Sequence, residues 1–151
     1  MEKIIQAIKE FLLENVNEKI QELGEQEKCA VPKIESKNII HGIVDISRLA
    51  SKCIVSIMED EQKESEGDIT SFCYDTDFTI TFLSSGESYE KLVKNICIYA
   101  SAMKKAMQES PTFNLHFVGS GLKSVKLHYD CGAVSKQMTA AEIELTVRTE
   151  E

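Results

Sequence analysis

Apolar and polar residues alternate from Phe72 to Phe82, and that pattern commits the segment to a half-buried strand. Phe72, Tyr74, Thr76, Phe78, Ile80 and Phe82 fall on one side; Cys73, Asp75, Asp77, Thr79 and Thr81 fall on the other. Successive side chains of a strand point to opposite faces, so one face lies on a core and the other in water. At about 3.4 Å per residue the run spans roughly 35 Å, long for a strand, and a bend or bulge is expected near Asp75-Thr76-Asp77.

The flanking sequence supplies what covers the dry face. Ile4, Ile5, Ile8, Phe11, Leu12, Val16, Ile20 and Leu23 recur at three- and four-residue steps and predict an amphipathic helix over about 3–23. Gly24 follows as the expected left-handed residue that ends it. Residues 25–52, with Pro32 and little periodicity, read as extended or loop, with a short strand over Ile39–Ile46 interrupted at Gly42. Cys53–Met58 reads as a buried strand, and the charged run EDEQKESEGD at 59–68 as a solvated loop or hairpin tip.

Ser84-Ser85-Gly86 is expected to break the alternating strand, with Ser85 capping a second helix over about 87–109. Its stripe is Tyr89, Leu92, Val93, Ile96, Ala100, Met103 and Met107, with Cys97 and Ala106 on the margins, and Pro111 stops it. Two strands, Phe113–Val118 and Leu122–Tyr129, are expected across Gly119-Ser120-Gly121. Phe113, Leu115 and Phe117 share a face of the first; Val125, Leu127 and Tyr129 share one of the second. A last strand, Ala141–Thr149, places Ile143, Leu145 and Val147 inward, with Glu142, Glu144, Thr146 and Arg148 outward. Strands with one polar face and two helices imply an α+β fold. It is a single domain over 1–151, with a mainly antiparallel sheet and the N-terminal and central helices packed on one face.

Composition narrows the function. The formal net charge is −8, and the lysines and arginines are scattered, with Lys104-Lys105 the densest pair. A surface that grips phosphates needs clustered bases, so sequence-specific nucleic-acid binding is not expected. The carboxylates interleave with lysines, as in Glu2-Lys3, Lys9-Glu10 and Glu18-Lys19, the pattern of a solvated helix face. Five cysteines (Cys29, Cys53, Cys73, Cys97 and Cys131) include no C-x-x-C pair, and no apolar run approaches the roughly 20 residues of a membrane helix. A reduced, cytoplasmic protein away from the membrane is the expectation.

Motifs for chemistry are sparse. Gly119-Ser-Gly121 joins two expected strands and has no helix N-terminus to receive a phosphate. His41 and His116 lack a close partner in sequence. His128 and Cys131 stand three apart, yet a zinc site shows two such pairs and there is no second. Cys73 has no base within five positions to activate it, and Cys53 and Cys97 read as small core residues. Asp75 and Asp77 share a strand face, as a solvated or partner-facing pair. No catalytic, cofactor-binding or metal residue is assigned, no cofactor is expected, and the chain is read as a non-enzyme.

The order of elements resembles the tail-terminator and tail-completion (head–tail joining) proteins of long-tailed bacteriophages and prophages. The matching pieces are IIQAIKEFLLENV, CIVSIMEDE, SFCYDTDFTITFLSSG, YEKLVKNICIYASAMKKAM with PTF behind it, VKLHYD and AAEIELTVRT. The match is nearly full-length and consists of element order and hydrophobic pattern. It implies a structural subunit forming a homo-oligomeric ring, typically a hexamer, that caps the tail tube and joins it to the head connector. The partners would be further copies, the tail-tube protein and the connector protein; the location would be the cytoplasm during assembly, then the virion. Residues 59–68 and Gly132–Thr139 are the segments expected to meet partners. The alternative is an acidic adaptor or decoy that engages a host protein.

Overall fold

A computed structural model describes residues 1–42, 53–65, 73–86, 88–130 and 137–150. The alternating run forms β3 (Cys73–Gly86), flanked by β2 (Cys53–Ser65) and β5 (Gln137–Glu150), with β4 (Gly119–His128) beyond β5 and β1 (Ile39–His41) beyond β2. The order is β1-β2-β3-β5-β4, and every pairing is antiparallel except β1 with β2. The fold is α+β, as the sequence predicts. On the dry face, Phe78, Ile80 and Phe82 are fully buried and align with Ile143 and Leu145 of β5 and Val55 and Ile57 of β2. β3 itself carries no bulge at Asp75-Thr76-Asp77, where its register with β5 is unbroken; the irregularity lies on the neighbouring strand, with Asp60 the extra residue of β2 opposite Asp77 and Phe78.

The dry face is covered by an N-terminal rod and by α3 (Tyr89–Glu109). The rod comprises α1 (Glu2–Phe11), a π-helical turn (Leu12–Val16) and α2 (Asn17–Gln26). Ile4, Ile5, Ile8, Phe11, Leu12, Val16 and Ile20 are buried as the stripe requires. Gly24 does not end the rod. It remains helical, and Lys28 takes the left-handed conformation (φ 53°). The Cys29 N–H reaches back to the Gly24 carbonyl (2.8 Å) and the Lys28 N–H to that of Glu25 (3.2 Å), the paired bonds of a Schellman end. A Cβ on Gly24 would lie 3.0 Å from the Cys29 carbonyl, so this glycine serves close approach instead of a turn.

The aperiodic stretch after α2 is held by side chains. Asn17 donates to the Ile34 carbonyl (2.8 Å) and accepts from the Ile34 N–H (2.7 Å), and the Tyr99 hydroxyl donates to the Pro32 carbonyl (2.8 Å). Ile34 is thereby buried. The short strand is present as β1 up to Gly42 (φ 120°); the rest of the predicted Ile39–Ile46 run lies outside the described residues.

Several further expectations are corrected. The run at 59–68 is not a loop from its start: β2 continues through Ser65, because its backbone keeps pairing with β3 while the side chains of Glu59 to Glu64 face water. Ser84-Ser85-Gly86 does not break β3 but pairs with Thr139, Met138 and Gln137, and the residue at the N-cap of α3 is Ser88, not Ser85. Phe113–Val118 is not a strand but an irregular turn, and Gly119-Ser-Gly121 belongs to β4. On α3, Tyr89 and Cys97 are exposed, while Tyr99, absent from the predicted stripe, is fully buried and stacks on Phe82 at 5.5 Å. Cys73, assigned to the polar side, is buried, and Tyr129 lies past the end of β4, half exposed.

The sheet's wet face is also not polar throughout. At its base, Ile54, Leu83, Met138 and Ala140 form a second buried apolar cluster, with Ile40 beside it. The base is therefore dry on both faces, and only the distal part is wet on one. Ser84, Asn95 and Thr139 fasten α3 to this base: Asn95 donates to the Ser84 hydroxyl (3.2 Å) and Thr139 to the Leu92 carbonyl (2.9 Å). Burial pushes the Cys53 thiol up to about 11 and raises the Tyr99 hydroxyl, with Cys53 as its near neighbour. Removing the Phe82 ring opens a cavity under Tyr99. Phe82→Ala is expected to lower unfolding stability by about 3–5 kcal/mol, read from urea denaturation with an unchanged m-value.

Candidate functional site

Two surfaces stand apart from a solvated sheet: the distal polar face, and the edge that runs from the turn after α3 along β4. On the polar face, Asp75 accepts both arms of Arg148 (2.8 and 3.0 Å) across β3 and β5. Asp77 accepts from Thr146 (2.5 Å) and from Lys123 of β4 (2.9 Å). Lys126 approaches Glu144 (3.5 Å), His128 meets Glu142 (2.9 Å), and Thr79 donates to Asp60 (2.6 Å). The Arg148 guanidinium holds the Asp75 carboxyl below its usual range, and the Thr146 and Lys123 hydrogen bonds do the same for Asp77. The aspartates are thus lattice points in a cross-strand ion network, and a general acid or base needs the opposite tuning.

The three histidines share one arrangement. Each faces a glutamate of another segment: His41 with Glu59 (2.5 Å), His116 with Glu10 (3.4 Å), and His128 with Glu142. His41 draws the Glu59 carboxyl down. Among the described residues no group of three or more His, Cys, Asp or Glu is placed to hold a metal ion. Cys131, the suggested companion of His128, lies outside the described residues, as do 66–68 of the acidic run and 132–136 of the Gly132–Thr139 stretch. Gln137, Met138 and Thr139 at the end of that stretch lie in β5, with Met138 and Thr139 buried, so those two are not partner-facing. Among the described residues no helix is long and apolar enough to cross a membrane.

The turn after α3 is a feature that sequence reading missed. Phe113, Asn114 and Leu115 all adopt left-handed backbone (φ 49°, 59° and 70°). This conformation costs about 1–2 kcal/mol per non-glycine residue, and only Asn among these three adopts it readily. The turn is held from several sides. Phe113 is fully buried and stacks on Phe11 at 4.0 Å. Asn114 and Asn15 of the π-helical turn exchange reciprocal amide hydrogen bonds (3.1 and 2.9 Å). The Asn114 N–H meets the Ser110 hydroxyl (3.0 Å), the Leu115 N–H the Thr112 hydroxyl (3.2 Å), and the Phe117 N–H the Thr112 carbonyl (2.9 Å). The consequence is that Leu115 is thrust into solvent, 89% exposed.

Leu115 has company along the same edge. Val118 (51%), Leu122 (41%) and Tyr129 (50%) follow it in or beside β4, so four of the seven large exposed apolar side chains among the described residues belong to this stretch, Met1, Met58 and Tyr89 being the others. There, β4 pairs with β5 on one side only, and among the described residues nothing pairs with its other side. An open edge strand offers unpaired N–H and C=O groups to an incoming chain. Its lysines, the usual guards of such an edge, are folded back over the molecule's own polar face toward Asp77 and Glu144. The arrangement suits recognition by backbone pairing.

No protein-family model matches the sequence, and no curated protein matches it. Among solved structures, a chain from a virion of a native gene transfer agent particle is similar over 77% of this chain and 81% of its own. The identity is 11% and the TM-score 0.44.

Two outcomes check this surface. Leu115→Gly removes the penalty for left-handed backbone without emptying any core, so its unfolding stability is expected to match or exceed that of the parent by up to about 1 kcal/mol. Asp75 and Asp77 have depressed folded-state pKa values, so their contribution is complete above the unfolded value of about 3.9 and lost as pH falls through the folded values. The urea midpoint should therefore fall with acidification below about pH 4, and less steeply in Asp75→Asn.

Proposed function

We propose that this chain is a non-catalytic structural subunit of a phage or prophage tail, acting as a ring that caps the tail tube and joins it to the head connector. The observation that carries the reading is the open β4 edge with Leu115, Val118, Leu122 and Tyr129 standing out along it. Exposed apolar side chains along an unpaired edge strand are costly in a free monomer and fit a surface that is covered in an assembly. The order helix, strand hairpin, helix, strand pair also follows the pattern on which the resemblance to tail-terminator and tail-completion proteins rests.

The partners in this reading are further copies of the chain, the tail-tube protein and the connector protein. Assembly would take place in the cytoplasm and end in the virion. An acidic adaptor or decoy would need a contiguous face of unpaired carboxylates. Asp75, Asp77, Glu142 and Glu144 each meet a base instead, so the tail reading is favoured.

The test is size-exclusion chromatography with light scattering across a wide concentration range, followed by electron microscopy of tail tubes mixed with the protein. The tubes are taken from the phage or prophage that encodes it. Rings, alone or on tube ends, are the expected result. A strict monomer that leaves every tube end bare would sink the reading.

A further inference from the structure

The bulge of β4 sits at the strand's midpoint, and that makes the open edge complementary to itself. Ser120 and Leu122 stand opposite the core residues Val147 and Leu145 of β5, and Val125 and Leu127 opposite Ile143 and Ala141, so these four face the helices. Gly119, Gly121, Lys126 and His128 face the polar side. Lys123 is the extra residue at which the alternation changes phase: even-numbered positions face the helices before it and odd-numbered ones after it. We infer that this edge is the contact of a two-fold dimer, β4 of one copy pairing antiparallel with β4 of a second about an axis between Lys123 and Ser124. The dimer is the free subunit before it meets a tube, a state beyond the ring reading.

The phase change selects the register. An antiparallel copy brings the first half of one strand onto the second half of the other, and faces match throughout when Leu122 meets Val125 of the second copy. Every residue from Gly119 to His128 then has a counterpart. On the helix side, Leu122 pairs with Val125 and Ser120 with Leu127 of the second copy; one residue beyond each end, the half-exposed Val118 and Tyr129 come level. Side chains that stand out singly on one copy thus become cross-strand pairs. On the polar side, Lys126 meets Gly121 and His128 meets Gly119 of the second copy, so neither basic side chain opposes its own kind. The glycines leave room for them, since with Asp75, Thr146 and Arg148 they line a hollow of about 360 Å³. The two Lys123 side chains flank the axis, and each is drawn to its own Asp77 (2.9 Å). The contact uses one patch twice, so it is isologous and stops at two copies. It also covers the open N–H and C=O groups of both edges, which keeps the free chain from extending its sheet further. Joining a ring through this edge would require the pair to open.

Gly121 tests the register. A Cβ there meets nothing within 4 Å, and in the dimer each added side chain faces Lys126 of the other copy. Gly121→Glu is expected to tighten dimerisation at least about threefold and Gly121→Lys to weaken it at least about threefold, because opposite charges directly across a strand pair attract and like charges repel. Leu122→Asp sets a carboxylate against Val125 on both sides of the axis and should weaken it at least about tenfold. Sedimentation velocity of the full chain over a wide concentration range reads each effect, and circular dichroism confirms the fold of each variant. The two Gly121 variants carry the test should Leu122→Asp fail to fold. The parent should pass from monomer to dimer and no further. The β4 pairing is overturned if both Gly121 variants shift dimerisation in one direction or leave it unmoved, or if folded Leu122→Asp dimerises like the parent. A parent that stays monomeric up to its solubility limit, or that forms larger rings with no dimer, overturns it too. None of these outcomes by itself decides the ring reading, which rests on the tube ends seen by electron microscopy.

Discussion

The stack of Phe78, Ile80 and Phe82 beneath α3 fixes the rest of the molecule. A strand shifted by one residue exchanges its two faces, so a fully buried row on β3 leaves only one register open to its neighbours. β3 pairs along its length with β2 and with β5, and both must then present Val55 with Ile57, and Ile143 with Leu145, to the same side. Tyr99 seals the row by stacking on Phe82 while its hydroxyl reaches the Pro32 carbonyl. One side chain thus joins helix, sheet and the irregular segment after α2. Burial of that hydroxyl is tolerable because its donor is satisfied.

A second constraint works at the opposite end of α3. There the chain must leave a helix and enter an edge strand within a few residues, and it does so through left-handed backbone at Phe113, Asn114 and Leu115. Apolar stacking on Phe11 and the amide pair with Asn15 hold a conformation that its own torsions oppose. Both anchors come from the N-terminal rod, so the rod positions the turn and the turn positions the start of β4. The salt bridge of Lys19 to Glu109 (2.7 Å) locks the rod to the last turn of α3 beside it. The exposed edge is therefore a rigid feature carried by the core.

What could be read from the sequence follows from how locally each feature is encoded. The β3 alternation and the rod's stripe repeat with the period of their own element, so both were legible. The segment around Ile34 was not, because its order comes from Asn17 and Tyr99, which are distant in sequence. The turn at 113–115 was mistaken for a strand because Phe113, Leu115 and Phe117 alternate; the signal against it, Asn114 beside a Ser-Pro-Thr run, was present but weaker. The charged run from Glu59 resembled a loop because side-chain polarity reports exposure and not backbone pairing, and an edge can be both wet and hydrogen-bonded. Tyr99 was missed for a related reason: α3 buries a wider arc than a three-four stripe, since it sits between the sheet and the rod. The candidate site was the least legible part, because an open edge is a property of strand order and strand order has no local signature.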